Sequence, residues 1–206
     1  MNLYPAILTD DVSQVQHHLD QIKPIEQIKT VQIDVLDGQF ADNMTVTPLD
    51  LVNLDFGRLK LDFHLMVKEP MNSVQEMVEV KSQLPIRAVI GHVEQMSHQQ
   101  QFLDEVEKND WTAGLALDIF TPLVTVEPEV MSKLSLLELL GVEAGFQGQE
   151  LKPLLFEKAQ ELGQTEHNSN LELMVDGGVK LEHVTKLKEL GVDSLAVGSA
   201  LVKQED

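Results

Sequence analysis

The sequence contains no cysteine among its 206 residues. Disulfide bonds and thiol catalysis are therefore excluded, and the composition fits a reducing compartment. Basic residues are scarce, because 15 lysines and arginines stand against 34 acidic residues, for a formal net charge of -19. Such a chain lacks the basic surface that binds nucleic acid or anionic lipid. We therefore expect no nucleic-acid or membrane partner, and we expect any anionic ligand to be held mainly by backbone N–H groups.

Long apolar runs are also missing. No stretch approaches the ~20 apolar residues of a transmembrane helix. The N-terminal sequence MNLYPAILTDD has no basic segment ahead of its apolar residues, unlike a signal peptide. These features predict a cytoplasmic protein. Apolar residues nevertheless make up 43% of the chain, which is enough for the core of one large domain.

Short runs rich in valine, isoleucine and leucine recur along the chain and predict eight strands. They cover residues 3–8, 30–35, 59–65, 86–93, 112–118, 134–142, 171–176 and 194–198. Most are followed by a segment with helical spacing of apolar residues, of which 181–190 is the clearest. A strand–helix unit of roughly 23 to 35 residues, repeated about eight times, predicts a single α/β domain over 1–206, a (β/α)₈ TIM barrel. An open doubly wound sheet gives a similar alternation, so the polar residues at the strand ends decide between the two.

Four polar side chains fall near the C-terminal ends of predicted strands: Asp34, His64, His92 and Asp176. Alternation along the strands puts them on a mixed face, opposite a fully apolar face that suits a helix layer. In a closed barrel these strand ends meet at one mouth, where active sites lie. A charge such as Asp34 within a Val/Ile run is unfavourable unless it has a partner or a task. Asp34, His64 and Asp176 together can hold a divalent cation such as zinc.

Structural explanations compete for each of these residues. Asp176 precedes two glycines, which fits a turn as well as a site next to a phosphate. A lone histidine on an apolar strand, such as His64, is commonly a core residue with satisfied hydrogen bonds. Turn chemistry is the better explanation for Asp37-Gly38. His92 with Glu94 is a weaker ligand candidate, which either orients substrate or merely lines the mouth.

Glycine-rich segments follow the last three strands. Residues 144–149 read AGFQGQ, residues 176–179 read DGGV and residues 197–200 read VGSA. Glycines let the backbone approach an anion closely, and the loops after strands 7 and 8 often bind phosphate in TIM barrels. Each segment alone is weak evidence, but three in consecutive loops predict a phosphate site built from backbone dipoles.

Taken in order, these motifs resemble those of the ribulose-phosphate 3-epimerases. The resemblance runs from residue 5 to residue 202 through PAILTDD, IDVLDGQFADNMTVTP, DFHLMV, HVE, GFQGQ, VDGG and VGSA. It implies a ribulose-phosphate-binding barrel of the pentose phosphate pathway that inverts C3 of D-ribulose 5-phosphate to give D-xylulose 5-phosphate. It also implies that Asp34 and Asp176 are the two acid–base groups, acting through a cis-enediolate whose charge a metal ion (Zn, Mn or Fe) stabilises.

The resemblance implies further site residues. The family's metal site has two histidines and two aspartates; Asp34, His64 and Asp176 match it, and Gln32 replaces the strand-2 histidine. A glutamine oxygen is a poorer ligand for zinc-like ions than imidazole. Thr9 matches the family's serine near the end of strand 1. The other residues expected to contact the substrate or its phosphate are Met66, Gly145, Phe146, Gln147, Gly148, Gly177, Gly178, Gly198 and Ser199.

Three loop positions also depart from the family pattern. Gln39 stands in place of a second histidine, Glu143-Ala144 in place of Asn-Pro, and Gln147 in place of a glycine. In addition, the chain ends soon after strand 8. This predicts a short or missing last helix and an apolar patch that a second subunit covers, hence a homo-oligomer.

Two other functions compete with the epimerase. One is a divergent paralogue that binds a sugar phosphate with weak or no epimerase activity, which the change at Gln32 and the altered phosphate loop motivate. The other, with less support, is a related sugar-phosphate decarboxylase or aldolase. Such enzymes carry a lysine at the position of Asp34, and none is present there. Within the epimerase hypothesis, the substrate is ribulose 5-phosphate or a close relative such as a hexulose 6-phosphate.

Overall fold

The computed structural model describes residues 1–198. The strands are β1 (Asn2–Ile7), β2 (Thr30–Leu36), β3 (Lys60–Met66), β4 (Ile86–His92), β5 (Thr112–Leu117), β6 (Leu136–Leu140), β7 (Glu172–Asp176) and β8 (Ser194–Val197). The α-helices are α1 (Val12–Ile22), α2 (Pro70–Glu79), α3 (Gln99–Glu107), α4 (Pro128–Met131), α5 (Leu154–Leu162) and α6 (Leu181–Glu189). Short 3₁₀ helices cover Pro48–Leu51, Val93–Gln95 and Leu123–Thr125.

The eight strands form a closed parallel barrel in chain order, with β8 paired to β1. All eight predicted strands are present, and the barrel prediction is confirmed over the open doubly wound sheet. Register places Asp34 beside His64 on the β2–β3 pair, and Leu140 beside Asp176 on the β6–β7 pair. Since all strands point the same way, their last polar side chains reach one end of the barrel.

Alternation along the strands separates two apolar layers. The outward residues, such as Ile33, Phe63 and Val175, belong to a large core between barrel and helices. The inward residues, such as Leu136 and Met174, form a second, smaller core inside the barrel. In β6 and β7 the inward position two residues further along the strand is polar. The polar residues therefore lie at the C-terminal end of the barrel, next to the smaller apolar core in its interior.

The helices cover the outer layer through the apolar stripes that the sequence predicts. Helix α1 buries Val15, Leu19 and Ile22 against the barrel. In α6, by contrast, Leu187 is buried but Leu181 is 93% exposed, so the predicted stripe is buried only in part. The connection between β2 and β3 carries a 3₁₀ helix where the repeat predicts an α-helix. The predicted short or missing last helix lies outside the described residues.

The N-terminal end of the barrel interior is closed by a separate polar network. Arg87 donates from Nε to Oδ1 of Asp62 at 2.8 Å, and Tyr4 donates to Glu172 at 3.0 Å. Burial raises the pKa of Asp62 to about 6, although the ion pair with Arg87 opposes the shift. The described residues contain no helix long and apolar enough to cross a membrane.

Candidate active site

The C-terminal ends of the strands surround a cleft that is open to solvent. It brings together residues from β1, β2, β3, β6 and β7 and from the loops that follow β1, β6, β7 and β8, as the barrel geometry predicts. The predicted site residues that line it are Asp34, His64, Met66, Gly145, Phe146, Gln147, Gly148, Asp176, Gly177, Gly178 and Gly198.

Asp34 and Asp176 meet at the base of this cleft. Asp34 points inward from β2 and Asp176 ends β7, and the two residues are only 4% and 8% exposed. The Nε2 of Gln32 donates to both carboxylates, at 2.9 Å to Asp34 Oδ1 and 2.8 Å to Asp176 Oδ2. Two carboxylates on different strands therefore approach a single point. This arrangement can exchange protons with one ligand or hold one cation.

The side-chain amide of Gln32 lies at the centre of the cluster. Its Nε2 is also 3.3 Å from Nδ1 of His64. Its Oε1 is buried and has no hydrogen-bond partner among the described residues. A half-turn of the carboxamide exchanges these two atoms. The oxygen would then face the two carboxylates, which is favourable only when a cation lies between them.

His64 contacts His92, and His92 in turn contacts Glu94. The Nδ1 of His64 lies 3.2 Å from Asp34 Oδ1, and its Nε2 lies 2.9 Å from Nε2 of His92. The Nδ1 of His92 is 2.9 Å from Glu94. If His92 donates from Nδ1 to Glu94, its Nε2 accepts from the Nε2–H of His64, so that Nδ1 of His64 faces the carboxylates, with a proton when no cation is bound and with a lone pair toward a bound cation. Histidines that bind metal ions are commonly oriented in this way.

A third carboxylate, Glu138 on β6, belongs to the same cluster, and the sequence analysis missed it. The side chain is fully buried, and its Oε1 lies 3.2 Å from Nδ1 of His64. Neither carboxylate oxygen has a hydrogen-bond partner among the described residues. A signal was present in the sequence, because Glu138 is the single charged residue in the run LSLLELLGV. The same signal drew attention to Asp34.

The pKa values of Asp34, Glu138 and His64 are perturbed. Burial raises the pKa of Asp34, although a hydrogen bond with His64 opposes the shift. Burial raises the pKa of Glu138 well above its usual value; the charge of His64 opposes this shift, and the charge of Asp176 adds to it. For His64, burial lowers the pKa, but Glu138 and the hydrogen bonds to both aspartates raise it well above the usual value. The raised pKa values of Asp34 and Glu138 therefore favour a proton or a cation beside these two carboxylates.

Asp34, His64 and Asp176 fit a divalent metal ion. One ligand atom from each lies within 4.8 Å of the others, and all three residues are buried. Carboxylate oxygens and imidazole nitrogens are ligands of zinc, manganese and iron in proteins. After a half-turn of its carboxamide, Gln32 would offer its Oε1, which is unpartnered in the observed orientation, as a further donor. A candidate metal site thus lies directly below the cleft.

Glycines shape the phosphate side of the cleft. Gly178 has a φ of +69°, and a Cβ there would lie 2.4 Å from the backbone nitrogen of Leu151, so only glycine fits. Gln147, at a position where the family has glycine, folds its side chain over Gly198. A Cβ on Gly198 would lie 2.7 Å from the Gln147 Nε2. Gln147 thus places an amide beside the backbone of the loop after β8.

Two contacts from neighbouring residues support the loop after β6. Glu143, which places a negative charge near the cleft, pairs with Lys152 at 2.9 Å. Asn43 donates to the carbonyl oxygen of Gly145 at 2.7 Å, which links the loop after β2 to the loop after β6. Both partners escaped the sequence analysis, because their positions in the sequence give no sign of these contacts.

The structure does not bring Thr9 to the cleft. Its hydroxyl donates to Gln14 at 3.0 Å and accepts from the N–H of Asp11 at 3.2 Å, next to the start of α1. Ala6 and Leu8 line the cleft instead. The reason is the alternation of side chains along the chain, which turns even-numbered positions of this segment inward. Ser199 lies outside the described residues.

Asp37 has the turn role that its position before Gly38 predicts. Its carboxylate accepts from the N–H groups of Gln39 at 2.8 Å, Phe40 at 3.0 Å and Lys68 at 2.8 Å. These contacts connect the loop after β2 to the end of β3. They also account for the carboxylate without any catalytic task.

Solved structures with similar folds have low sequence identity to this chain. A mutant tryptophan synthase alpha-subunit from Pyrococcus furiosus has a TM-score of 0.68 and 15% identity, over 98% of this chain and 88% of the other. A phosphoribosyl anthranilate isomerase from Thermus thermophilus has a TM-score of 0.61 and 14% identity, over 99% and 90%. These similarities show the fold alone.

Sequence comparison is more specific. The profile of the ribulose-phosphate 3 epimerase family matches residues 2–202. Ribulose-phosphate 3-epimerase of Escherichia coli (strain K12) is 30% identical over 207 residues, covering 98% of this chain and 89% of the relative. The enzyme of the same name from Helicobacter pylori (strain J99) is 27% identical, covering 100% and 93%. The chain therefore belongs to the ribulose-phosphate 3-epimerase family.

Proposed function

We propose that the protein interconverts D-ribulose 5-phosphate and D-xylulose 5-phosphate, or a closely related pair of ketose phosphates, by proton transfer at C3. Membership of the family supports an epimerase that acts on a carbohydrate. The observation that carries the proposal is the convergence of two buried carboxylates, Asp34 and Asp176, on one point below the cleft.

Inversion at a carbon atom needs a base on one face and an acid on the other. In the proposed reaction, Asp34 or Asp176 removes the C3 proton, and the electrons of the C–H bond move into the C2 carbonyl to give an enediolate. The opposite carboxyl group then returns a proton to the other face of C3. The two residues exchange roles in the reverse direction. A divalent cation held by both aspartates and His64 would supply positive charge beside the developing negative charge.

The glycine loops are the proposed phosphate site. Gly177, Gly178 and Gly198 line the cleft together with residues 145–148. No lysine or arginine lines the cleft within the described part of the chain. We therefore propose that backbone N–H groups, with the amide of Gln147, bind the phosphate. The assignment of Ser199 to this site stays a prediction.

Isosteric substitution of the two aspartates tests the proposed roles. We expect Asp34→Asn and Asp176→Asn each to lower epimerase turnover by about 10³-fold, since each removes one proton-transfer group. Turnover is measured in a coupled assay against pentulose and hexulose phosphates, with and without added divalent metal. Asp37→Asn is the matched control, because this carboxylate belongs to a turn, and it should keep wild-type turnover. Wild-type turnover in either of the first two variants would reject the assigned roles.

A sugar-phosphate binder with little or no turnover is the second candidate. The position of the Gln32 amide nitrogen among the three metal-ligand atoms favours it, because in this orientation a proton donor lies where a cation would bind. Metal analysis of the purified protein separates the two candidates. Stoichiometric zinc, manganese or iron together with turnover supports the enzyme. Absence of metal, with no turnover after metal addition, supports the binder.

A further inference from the structure

The carboxylate of Glu138 has one counter-charge within the described part of the chain, the imidazole of His64, whose Nδ1 lies 3.2 Å from its Oε1. It is fully buried, and neither oxygen has a hydrogen-bond partner. A buried carboxylate without partners carries a large desolvation penalty, so such a group is retained where it has a ligand or a counter-charge. Its neighbours on the adjacent strands, Ala116 and Met174, offer no charge to pair with it.

The Glu138 carboxylate borders the metal cluster of Asp34, His64 and Asp176. Its Oε1 lies 3.2 Å from Nδ1 of His64, and the same nitrogen lies 3.2 Å from Asp34 Oδ1 and 3.5 Å from Asp176 Oδ2. Two atoms that bind one ion at about 2.1 Å are separated by about 3.0 to 3.4 Å at octahedral and tetrahedral angles. The three oxygens therefore surround the His64 nitrogen at distances close to those between ligands of a common ion.

The sequence offers a reason for a ligand at this place. Gln32 occupies the strand-2 position, and a neutral amide oxygen attracts a cation less strongly than a carboxylate does. A carboxylate that enters the same space from β6 adds both a donor and a negative charge. Three carboxylates and one imidazole form an oxygen-rich donor set, which suits Mn²⁺.

We propose that Glu138 is a further protein ligand of the divalent cation held by Asp34, His64 and Asp176, and that it compensates for glutamine at position 32. The inference concerns the metal site of the proposed function, but it is tested by binding rather than by turnover.

Calorimetric titration of the metal-free protein with Mn²⁺ is the direct test. Glu138→Gln keeps the size of the side chain and removes its charge, and we expect it to weaken Mn²⁺ binding by about tenfold or more. Glu172→Gln is the matched control, because this acid lies at the other end of the barrel interior. Its affinity for Mn²⁺ should stay within about twofold of the wild type.

Two further readouts separate a ligand from a structural residue. Co²⁺ bound in place of Mn²⁺ reports its ligand set through its visible absorption, and the bands should shift in Glu138→Gln but not in Glu172→Gln. In the metal-free state, Glu138→Gln and Glu138→Leu each remove the carboxylate that lies 3.2 Å from Nδ1 of His64, so the thermal unfolding midpoint of each variant is measured both without and with Mn²⁺. The increase in midpoint on adding Mn²⁺ should become smaller in both variants.

Three results would overturn the inference. The first is unchanged Mn²⁺ affinity in Glu138→Gln, the second is an unchanged Co²⁺ spectrum, and the third is a wild-type protein that binds no Mn²⁺ at millimolar concentration. A loss of Mn²⁺ affinity in Glu138→Gln, combined with wild-type turnover in Asp34→Asn, would instead reject the proposed catalytic roles and leave the Glu138 ligand in place.

Discussion

At the scale of single residues, the site depends on a series of buried polar side chains, in which each side chain orients the next through a hydrogen bond. Glu94 lies at the outer end of this series. It is bound by His92 and by the N–H of Asp118 at 2.7 Å. Burial and repulsion by His64 lower the pKa of His92, so it contacts Glu94 as a neutral donor. Glu94 therefore fixes the orientation of His92, and His92 in turn fixes that of His64.

The decrease in the free energy of unfolding at acidic pH tests the hydrogen bonds of Glu94. Burial opposes the shift, but the hydrogen bond from His92 leads the interactions that lower the pKa of Glu94 to about 2. A depressed carboxylate pKa stabilises the fold above the unfolded-state value, and this contribution is lost as the pH falls from about 4.5 toward 2. We expect Glu94→Gln to cost about 2 kcal/mol at pH 6 and much less at pH 3, measured by urea unfolding. An equal cost at both pH values would contradict this assignment.

At the scale of elements, the turn between β7 and α6 joins the catalytic strand to the phosphate loops. Gly177 and Gly178 follow Asp176 directly, and both have positive φ values, +90° and +69°. The carbonyl of Asp176 accepts from the N–H of Gly141 at 2.6 Å, which fixes the end of β7 against β6. The position of the Asp176 carboxylate therefore depends on this turn.

Substitution of Gly178 tests the close approach of the backbone in this turn. A Cβ at Gly178 would meet the backbone of Leu151 at 2.4 Å, whereas a Cβ at Gly191, with a φ of +84°, would meet nothing within 4 Å. Gly191→Ala therefore measures only the cost of placing a non-glycine residue in the left-handed backbone region, a loss of about 1 to 2 kcal/mol of stability. We expect Gly178→Ala to cost about 3 kcal/mol or more, since backbone atoms must move. Equal thermal unfolding midpoints in the two variants would show that the turn adapts without cost.

The elements also show which features of the fold and site can be predicted from the sequence and why the other features cannot. Strands follow from local apolar runs, so the barrel was predictable, and so was the convergence of Asp34, His64 and Asp176. Assignment of Thr9 relied on a motif match rather than on alternation, which directs Ala6 inward. Glu138 was visible as a charge within β6, but its partner residues are distant in sequence. Contacts such as Asn43 to Gly145 depend on loop conformation, which no local pattern encodes.

At the scale of the whole molecule, the net charge of -19 sets the field that an anionic substrate meets. The cleft has no basic residue of its own among those described. Attraction of the phosphate is therefore short-range, from backbone dipoles, while repulsion from the acidic surface acts over longer distances. Association into a homo-oligomer stays a prediction, which light scattering can test.

Salt should consequently accelerate the capture of substrate rather than slow it. The Debye length falls from about 30 Å at 0.01 M to about 8 Å at 0.15 M salt, which screens the surface repulsion more than the contacts in the cleft. We expect kcat/KM for a ketose phosphate to rise about two- to fivefold between these concentrations of NaCl. The unphosphorylated ketose provides the control and should show no such rise. A fall in kcat/KM with salt would point to a basic binding site instead.

Hydrogen exchange at C3 in D₂O, followed by NMR, tests most directly whether Asp34 and Asp176 act on opposite faces of one carbon atom. For the wild type we predict deuterium at C3 of the product. Asp34→Asn and Asp176→Asn should each lose interconversion, while each still exchanges the C3 hydrogen of one epimer, and the two variants should select opposite epimers. Exchange of the same epimer by both variants, or interconversion at the wild-type rate in either, would contradict the account.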